Sequence, residues 1–373
     1  VEFTITQKDI GELSNGWQIP SYTYNGDQKR PSTILRYGSR TLSEGSDYTL
    51  SYSNNVNAGT NTATVTATGR GNYKGSISTS YSISRKPISS TTIILKQGST
   101  EVNGTTYTYN GDQKKPSVTV YDSDRGVNLV YNKDYTYQYE NNVLAGTATV
   151  RVTGIGNYTS ENSKNYTINR KPISGTRLTL NQNVYEYNGD EKRPTVTVYD
   201  NERRVNLNYG TDYSVSYSNN VNAGTATLTV TGLINYTSQN TINYTINPKP
   251  VSKTVPTVVT PEYIYNGRRQ EPEIKLYDPD RAVYLSLNQD FRVEYSDHID
   301  AHDKNDALAP KAKVIGIINY TGDFTKTYTI HPKEIYAVWQ DKERFVYNYN
   351  PQAPYATATT GVSSETGEEE LAV

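Results

Sequence analysis

The densest set of ligand-type side chains runs from Asp297 to Asp306. Asp297, His298, Asp300, His302, Asp303 and Asp306 place four carboxylates and two imidazoles within ten residues. Carboxylate oxygens at that density suit calcium, and imidazole nitrogens among them suit a transition metal. The run matches no established loop, because an EF-hand needs a glycine at its sharp turn and a bidentate glutamate at its end, and neither falls in register. Acidic, polar insertions are also the ordinary composition of solvated loops. The expectation is a solvated loop without a cofactor. A calcium or transition-metal site on Asp297, Asp300, His302, Asp303 and Asp306 is the alternative.

Other chemistry finds no pattern to use. The chain of 373 residues has three histidines, His298, His302 and His331, and neither cysteine nor methionine. It contains no G-x-S-x-G elbow, no H-E-x-x-H and no phosphate-binding glycine loop. Its 38 acidic residues make many carboxylate pairs and single out none for glycoside hydrolysis. Active sites are normally single, whereas this chain is built of repeated units, so an enzyme is not expected. A formal charge of -1 gives no basic footprint for nucleic acid. No apolar run approaches the roughly 18 residues of a membrane span. Without cysteine there are no disulfides, and stability must come from packing.

The elements that position these residues are copies of one unit. Tyr24-Asn25-Gly26 returns at Tyr109-Asn110-Gly111, Tyr187-Asn188-Gly189 and Tyr265-Asn266-Gly267, with a degenerate copy at Tyr349-Asn350-Pro351. Lys8, Lys86, Lys171, Lys249 and Lys333 form a second series, spaced by 78, 85, 78 and 84 residues. The longer second unit carries seven extra residues between Ser89 and Tyr107. Aspartates at 47, 134, 212 and 290 and, seven residues after each, Asn54, Asn141, Asn219 and Asp297 keep step. Fixed periods of this kind signal a repeat architecture. The boundaries follow: 1–8, the last strand of a preceding repeat; 9–86, 87–171, 172–249 and 250–333, four repeats; and 334–373, an incomplete fifth module with an acidic tail. Both ends read as cuts through a longer array.

Within a unit the apolar period is two. Tyr213, Val215 and Tyr217 alternate with serines, and Ala226, Leu228 and Val230 with threonines, the pattern of strands with one buried face. Asn-Gly favours a tight hairpin, and Ala58-Gly59, Ala145-Gly146 and Ala223-Gly224 supply a second reversal. About six or seven short strands per unit follow, enough for a small sandwich. Thirty-five tyrosines against four phenylalanines place many rings at sandwich edges, where the hydroxyl finds a partner. The recurring Tyr73, Tyr158, Tyr236, Tyr320, Tyr48, Tyr135 and Tyr213 are expected to be structural; stacking platforms for sugars are the alternative.

The ordered string YNGD-[QE]-K-[KR]-P, VTVYD, DYxxxYxNNVxAGTATVxVTGxxNYT, NYTI and Lys-Pro resembles the bacterial Ig-like and MBG-type repeats of large Firmicutes cell-surface proteins. The resemblance spans residues 9 to 335 four times over. It implies an all-β tandem array of four small Ig-like β-sandwich modules with a partial fifth, an extracellular position on a bacterial cell surface, and no catalytic residue. The fourth copy departs from it, with His302 to Leu308 standing where the others have Ala-Gly.

Lys86, Lys171 and Lys249 each precede proline at a junction and are expected to be solvated; an internal Lys-Asn or Lys-Asp cross-link is the alternative. Lys-Pro directly after a strand restricts the backbone, so the modules should follow one another with little slack, as a rod of about 120 to 160 Å. The expected function is a stalk or spacer that presents a distal region, with neighbouring repeats as its partners. The rival is an adhesin that binds a glycan or host protein through tyrosine faces, edge strands or the divergent loop of the fourth repeat.

Overall fold

In the computed structural model, Ala148, Val150 and Val152 are fully buried while Thr147, Thr149 and Arg151 between them are not. The period-two pattern has become the strand Gly146–Gly154, with one face on a core. The structure describes residues 1–98, 100–101, 105–339 and 356–359. Most of the expected fifth module, 334–373, lies outside the described residues; within it Tyr336–Trp339 pairs antiparallel with Ala356–Thr359. Of residues 1–8, expected to be the last strand of a preceding repeat, 1–7 carry no strand and Lys8 opens the short strand Lys8–Asp9.

The chain divides into two compact units. The first is Val1–Gly175, Asp200–Ser214 and Thr231–Gln239, and the second is Thr176–Tyr199, Val215–Val230 and Asn240–Val373. The second repeat, in the first unit, gives the plan. One sheet orders Thr100–Glu101, Thr92–Gln97, Ser117–Asp122 and Val127–Asn128, all antiparallel. The other orders Thr105–Thr108, Glu161–Asn169, Gly146–Gly154 and Tyr135–Glu140, parallel in its first pair and antiparallel after it. Ile93, Leu95 and Val120 from the first sheet and Tyr135, Val150, Val152 and Ile168 from the second are all buried. Each buried aliphatic side chain contributes about 1.5–3 kcal/mol. The Tyr135 hydroxyl ties the sheets together by donating to the Val118 carbonyl at 3.3 Å, and Tyr166 donates to that of Lys114, in the loop that connects them, at 2.6 Å.

The spaced landmarks are turn residues. Asp134 accepts the Val130 N–H at 2.9 Å, and Asp47, Asp212 and Asp290 accept from Ser43, Asn208 and Ser286 at the same distance. Asn54, Asn141, Asn219 and Asp297 all have φ between 51° and 57°, a left-handed conformation that Asn and Asp adopt most readily after glycine. The Asn-Gly expectation needs correction. Tyr109-Asn110-Gly111 makes no hairpin; it carries the chain from the strand Thr105–Thr108 in one sheet to Ser117–Asp122 in the other. Asn110 turns the chain locally by accepting the Asp112 N–H at 3.0 Å. The Ala-Gly reversals do join antiparallel neighbours, Tyr48–Ser53 with Gly59–Gly69 and Tyr135–Glu140 with Gly146–Gly154.

The fourth repeat, in the second unit, keeps the sheet of Val255–Val258, Ile274–Asp278 and Val283–Tyr284, but its other sheet is divided into Glu262–Ile264 with Thr329–His331 and a three-stranded part of Phe291–Ser296, Lys311–Gly316 and Asp323–Thr327. Its third strand starts late, at Lys311. The residues before it fold as a loop in which the His302 carbonyl accepts the Ile330 N–H at 3.0 Å and Lys304 N–H donates to Thr329 Oγ1 at 3.2 Å. Thus the His302 to Leu308 segment covers sheet edge that a strand covers elsewhere, and the last strand is split into Asp323–Thr327 and Thr329–His331. Among the described residues no helix is long and apolar enough to cross a membrane.

Candidate functional site: the joints between repeats

Three polar clusters recur where one repeat hands over to the next. At the first, Lys86–Pro87 pairs parallel with Tyr158–Thr159, and Lys86 N–H donates to the Asn157 carbonyl at 2.9 Å. This two-residue strand fixes the lysine, whose Nζ reaches Asp122 Oδ1 at 2.6 Å and Asp124 Oδ2 at 2.8 Å. Tyr158 OH donates to the other oxygen of Asp122 at 2.7 Å and accepts from Arg125 Nη1 at 2.9 Å. The Arg125 guanidinium lies 5.1 Å from the Tyr24 ring centre, and Tyr24 packs edge-on against Tyr158. Asn157 Oδ1 accepts the Ala58 N–H at 2.8 Å. Tyr24 and Ala58 belong to the first repeat, the others to the junction and the second.

The second joint repeats this with Lys171, Asp200, Tyr236, Arg203, Tyr109, Asn235 and Ala145. Lys171 Nζ lies 2.6 Å from Asp200, Arg203 lies 5.1 Å from the Tyr109 ring, and Ala145 N–H reaches Asn235 at 3.0 Å. The third, wholly in the second unit, uses Lys249, Asp278, Tyr320, Arg281, Tyr187, Asn319 and Ala223. Its distances for the same three contacts are 2.5, 5.3 and 2.8 Å. The lysines expected to be solvated are therefore buried or nearly so. The proline beside each gave a local cue for exposure, but an aspartate 29 to 36 residues away supplies the partner.

Electrostatics keep these pairs ionised. Burial alone would raise the carboxyl of Asp122, Asp200 or Asp278, yet the hydrogen bonds from lysine and tyrosine outweigh it and hold each below the ordinary value. Burial likewise opposes the lysine charge, and two carboxylate partners more than restore it, so all three lysines lie above the ordinary value. Burial, with the neighbouring aspartate, raises the tyrosine hydroxyls far enough to keep them neutral donors. The arrangement has no free base and no activated nucleophile.

In the first repeat Tyr37 occupies the register position of these aspartates. Leu35 and Val120 are matching core residues, paired opposite Asn15 and Ile93, and the aspartate lies two residues beyond Val120. Lys8 there pairs with Glu12 and lies 5.9 Å from the Tyr37 ring.

The residues of the Asp297 run are largely engaged separately. Asp297 is the turn residue of its repeat and pairs with Lys311 at 3.1 Å. Asp303 accepts from the Asn305 N–H and side chain, and Asp306 accepts the Asp303 N–H at 3.1 Å. His302 Nδ1 lies 3.6 Å from Asp306. Asp300 is exposed. Among the described residues no group of three or more His, Asp or Glu is gathered in a way that could hold a metal. The joint aspartates and arginines were not singled out from sequence, although the recurring Tyr-Asp-x-[DE]-Arg of 121–125, 199–203 and 277–281 is visible there.

The fold and joints define a tandem array of small β-sandwich repeats. No family model matches the chain and no curated protein does. Solved structures similar to it include surface layer protein SbsC, domains 4–9 (13% identity, 67% of this chain and 49% of that one, TM-score 0.17). Others are the bacterial integrin-binding protein invasin (13%, 77% and 61%, TM-score 0.21) and protocadherin gamma B2 extracellular cadherin domains 3–6 (10%, 86% and 99%, TM-score 0.21). The chain spans about half the length of the SbsC fragment.

Proposed function

We propose that this chain is a non-catalytic spacer of a bacterial cell-surface protein, lying outside the cell and holding a distal region away from the wall. The observation that carries this reading is the recurrence of one polar joint, with the same donors and acceptors, at Lys86, Lys171 and Lys249. One such interface would be a local packing detail. Three copies make successive handovers alike, which a spacer of set length requires. The ionisable groups of each joint are taken up by one another, so the best-built polar cluster performs no chemistry. The cell-surface setting rests on the resemblance of the repeat string to bacterial surface repeats.

Small-angle scattering tests the spacer. Four sandwiches in line would give a maximum dimension of about 120 to 160 Å, whereas a globule of this length has a radius of gyration of about 21 Å. The globular value would sink the reading. An adhesin is the second reading, favoured by exposed Tyr284 and Leu287 on the fourth repeat. Binding on a glycan array that disappears when surface tyrosines become alanine would move it ahead.

A further inference from the structure

Where the second repeat carries Tyr137, the fourth carries Val293. Strand register makes them equivalent: Tyr135 faces Gly154 and Tyr137 faces Val152, while Phe291 faces Gly316 and Val293 faces Val314. In the second repeat the Tyr137 ring fills a nest of phenols. Its centre lies 5.1 Å from that of Tyr131, 6.3 Å from Tyr135 and 5.6 Å from Tyr139. Tyr139 donates its own proton to the Pro116 carbonyl.

In the fourth repeat Leu287, Phe291 and Tyr295 hold the places of Tyr131, Tyr135 and Tyr139, but valine leaves the place of the fourth ring open. The result is a cleft of 470 Å³ lined by these residues with Ile274, Tyr284 and Leu285, within the range of small-ligand sites. Its mouth is open to solvent, since Tyr284 is 67% and Leu287 55% exposed. Tyr295 keeps the hydroxyl and its bond to a proline carbonyl, donating to Pro272 at 2.6 Å. That leaves lone pairs on its oxygen with which to accept from a guest. Glu273 and Lys275, 3.8 Å apart, also line the cleft. Their charges cancel, so the cleft complements a neutral ring with one polar tip rather than an ion.

We propose that this cleft receives the tyrosine side chain of a partner polypeptide, with the ring against Leu287, Phe291 and Tyr295 and the phenol proton donated to the Tyr295 oxygen. The second repeat satisfies the same nest from within its own strand. The proposal stands apart from the spacer reading, because an array of any length or shape would carry this cleft.

Saturation-transfer NMR on the full chain with N-acetyl-L-tyrosinamide tests it. The wild type should bind in roughly the millimolar range suited to so small a ligand, and the phenylalanine analogue at least about threefold more weakly, because it lacks the hydroxyl. Val293→Tyr, copying the second repeat, should fill the cleft and weaken binding at least about tenfold, with a thermal midpoint at or above wild type to establish folding. Tyr137→Val, which gives the second repeat the residue that the third has at Val215 and the fourth at Val293, should add a site in the second repeat and raise the stoichiometry by one, and this arm decides the matter if Val293→Tyr does not fold. No binding at about 10 mM, unchanged binding by folded Val293→Tyr, or binding of methyl β-glucoside in place of the tyrosine amide would overturn the proposal.

Discussion

Lys249 Nζ lies 2.5 Å from Asp278 Oδ1, and both side chains are 0% exposed. Removing one partner strands the other charge away from water, which costs about 3–5 kcal/mol, whereas replacing both with apolar residues is often neutral. Asp278→Ala or Lys249→Ala should therefore lose about 3–5 kcal/mol in urea denaturation, and Lys249→Met with Asp278→Leu should recover most of it. A single-variant loss below about 1 kcal/mol would mean that the pair behaves as a surface ion pair.

Lys8 provides the contrast within the same chain. It has the same two-residue parallel strand, with Lys8 opposite Tyr73, but Tyr37 in place of the aspartate. Lys8→Ala should leave the unfolding midpoint unchanged within error, so equal losses for Lys8→Ala and Lys249→Ala would show that the buried aspartate is not what matters.

The joints should also set the pH range of stability. The aspartate pKa values are depressed in the fold, so their contribution is complete above the unfolded value, 3.8, and is lost as pH falls through the folded value. The lysine values are raised, so their contribution is complete below 10.5 and is lost as pH rises through the folded value. Thermal midpoints should form a plateau between these limits, with acid loss beginning below 3.8. Asp122→Asn together with the same change at Asp200 and Asp278 should reduce the acid slope; an unchanged slope would assign acid sensitivity to other carboxylates.

Proximity of lysine to aspartate invites an amide bond, which requires a neutral amine, a protonated carboxyl and the loss of one water per bond. The joint holds both groups in the opposite states, because the hydrogen bonds that outweigh burial favour the ions. Intact mass should equal the sequence mass. A deficit of one water for each of the three pairs would refute the ionised joint.

How far these features were legible in the sequence depended on the range of the interaction. Alternation at Ala226, Leu228 and Val230 is local, and it specified strand and core face correctly. The spacing of Asp134 and Asn141 marked the repeat, but that both are turn residues shows only in the structure, where the aspartate accepts a backbone N–H four residues away. Asn110-Gly111 misled because a turn signal says that the chain bends, not which sheet the next strand joins. Burial of Lys86 was likewise illegible beside Pro87, because its partner lies 36 residues on. The cleft at Val293 was present in the alignment of repeats, but only the ring positions around Tyr137 give that valine meaning.

Gly111 tests whether the joints are close-packed. Its φ is 87°, and a Cβ there would stand 2.9 Å from Arg203 Nε, tighter than ordinary contact. Gly26 and Gly189 meet Arg125 and Arg281 in the same way, at 2.7 and 2.8 Å. Gly111→Ala thus combines backbone strain of about 1–3 kcal/mol with displacement of a guanidinium that lies over Tyr109 and donates to Tyr236. Removing the arginine clears the space but leaves the strain. In a double-mutant cycle, Gly111→Ala with Arg203→Ala should cost less than the sum of the single changes by about 0.5–3 kcal/mol. Strict additivity would mean that the turn and the guanidinium do not press on each other, and that the glycine is required for its backbone conformation alone.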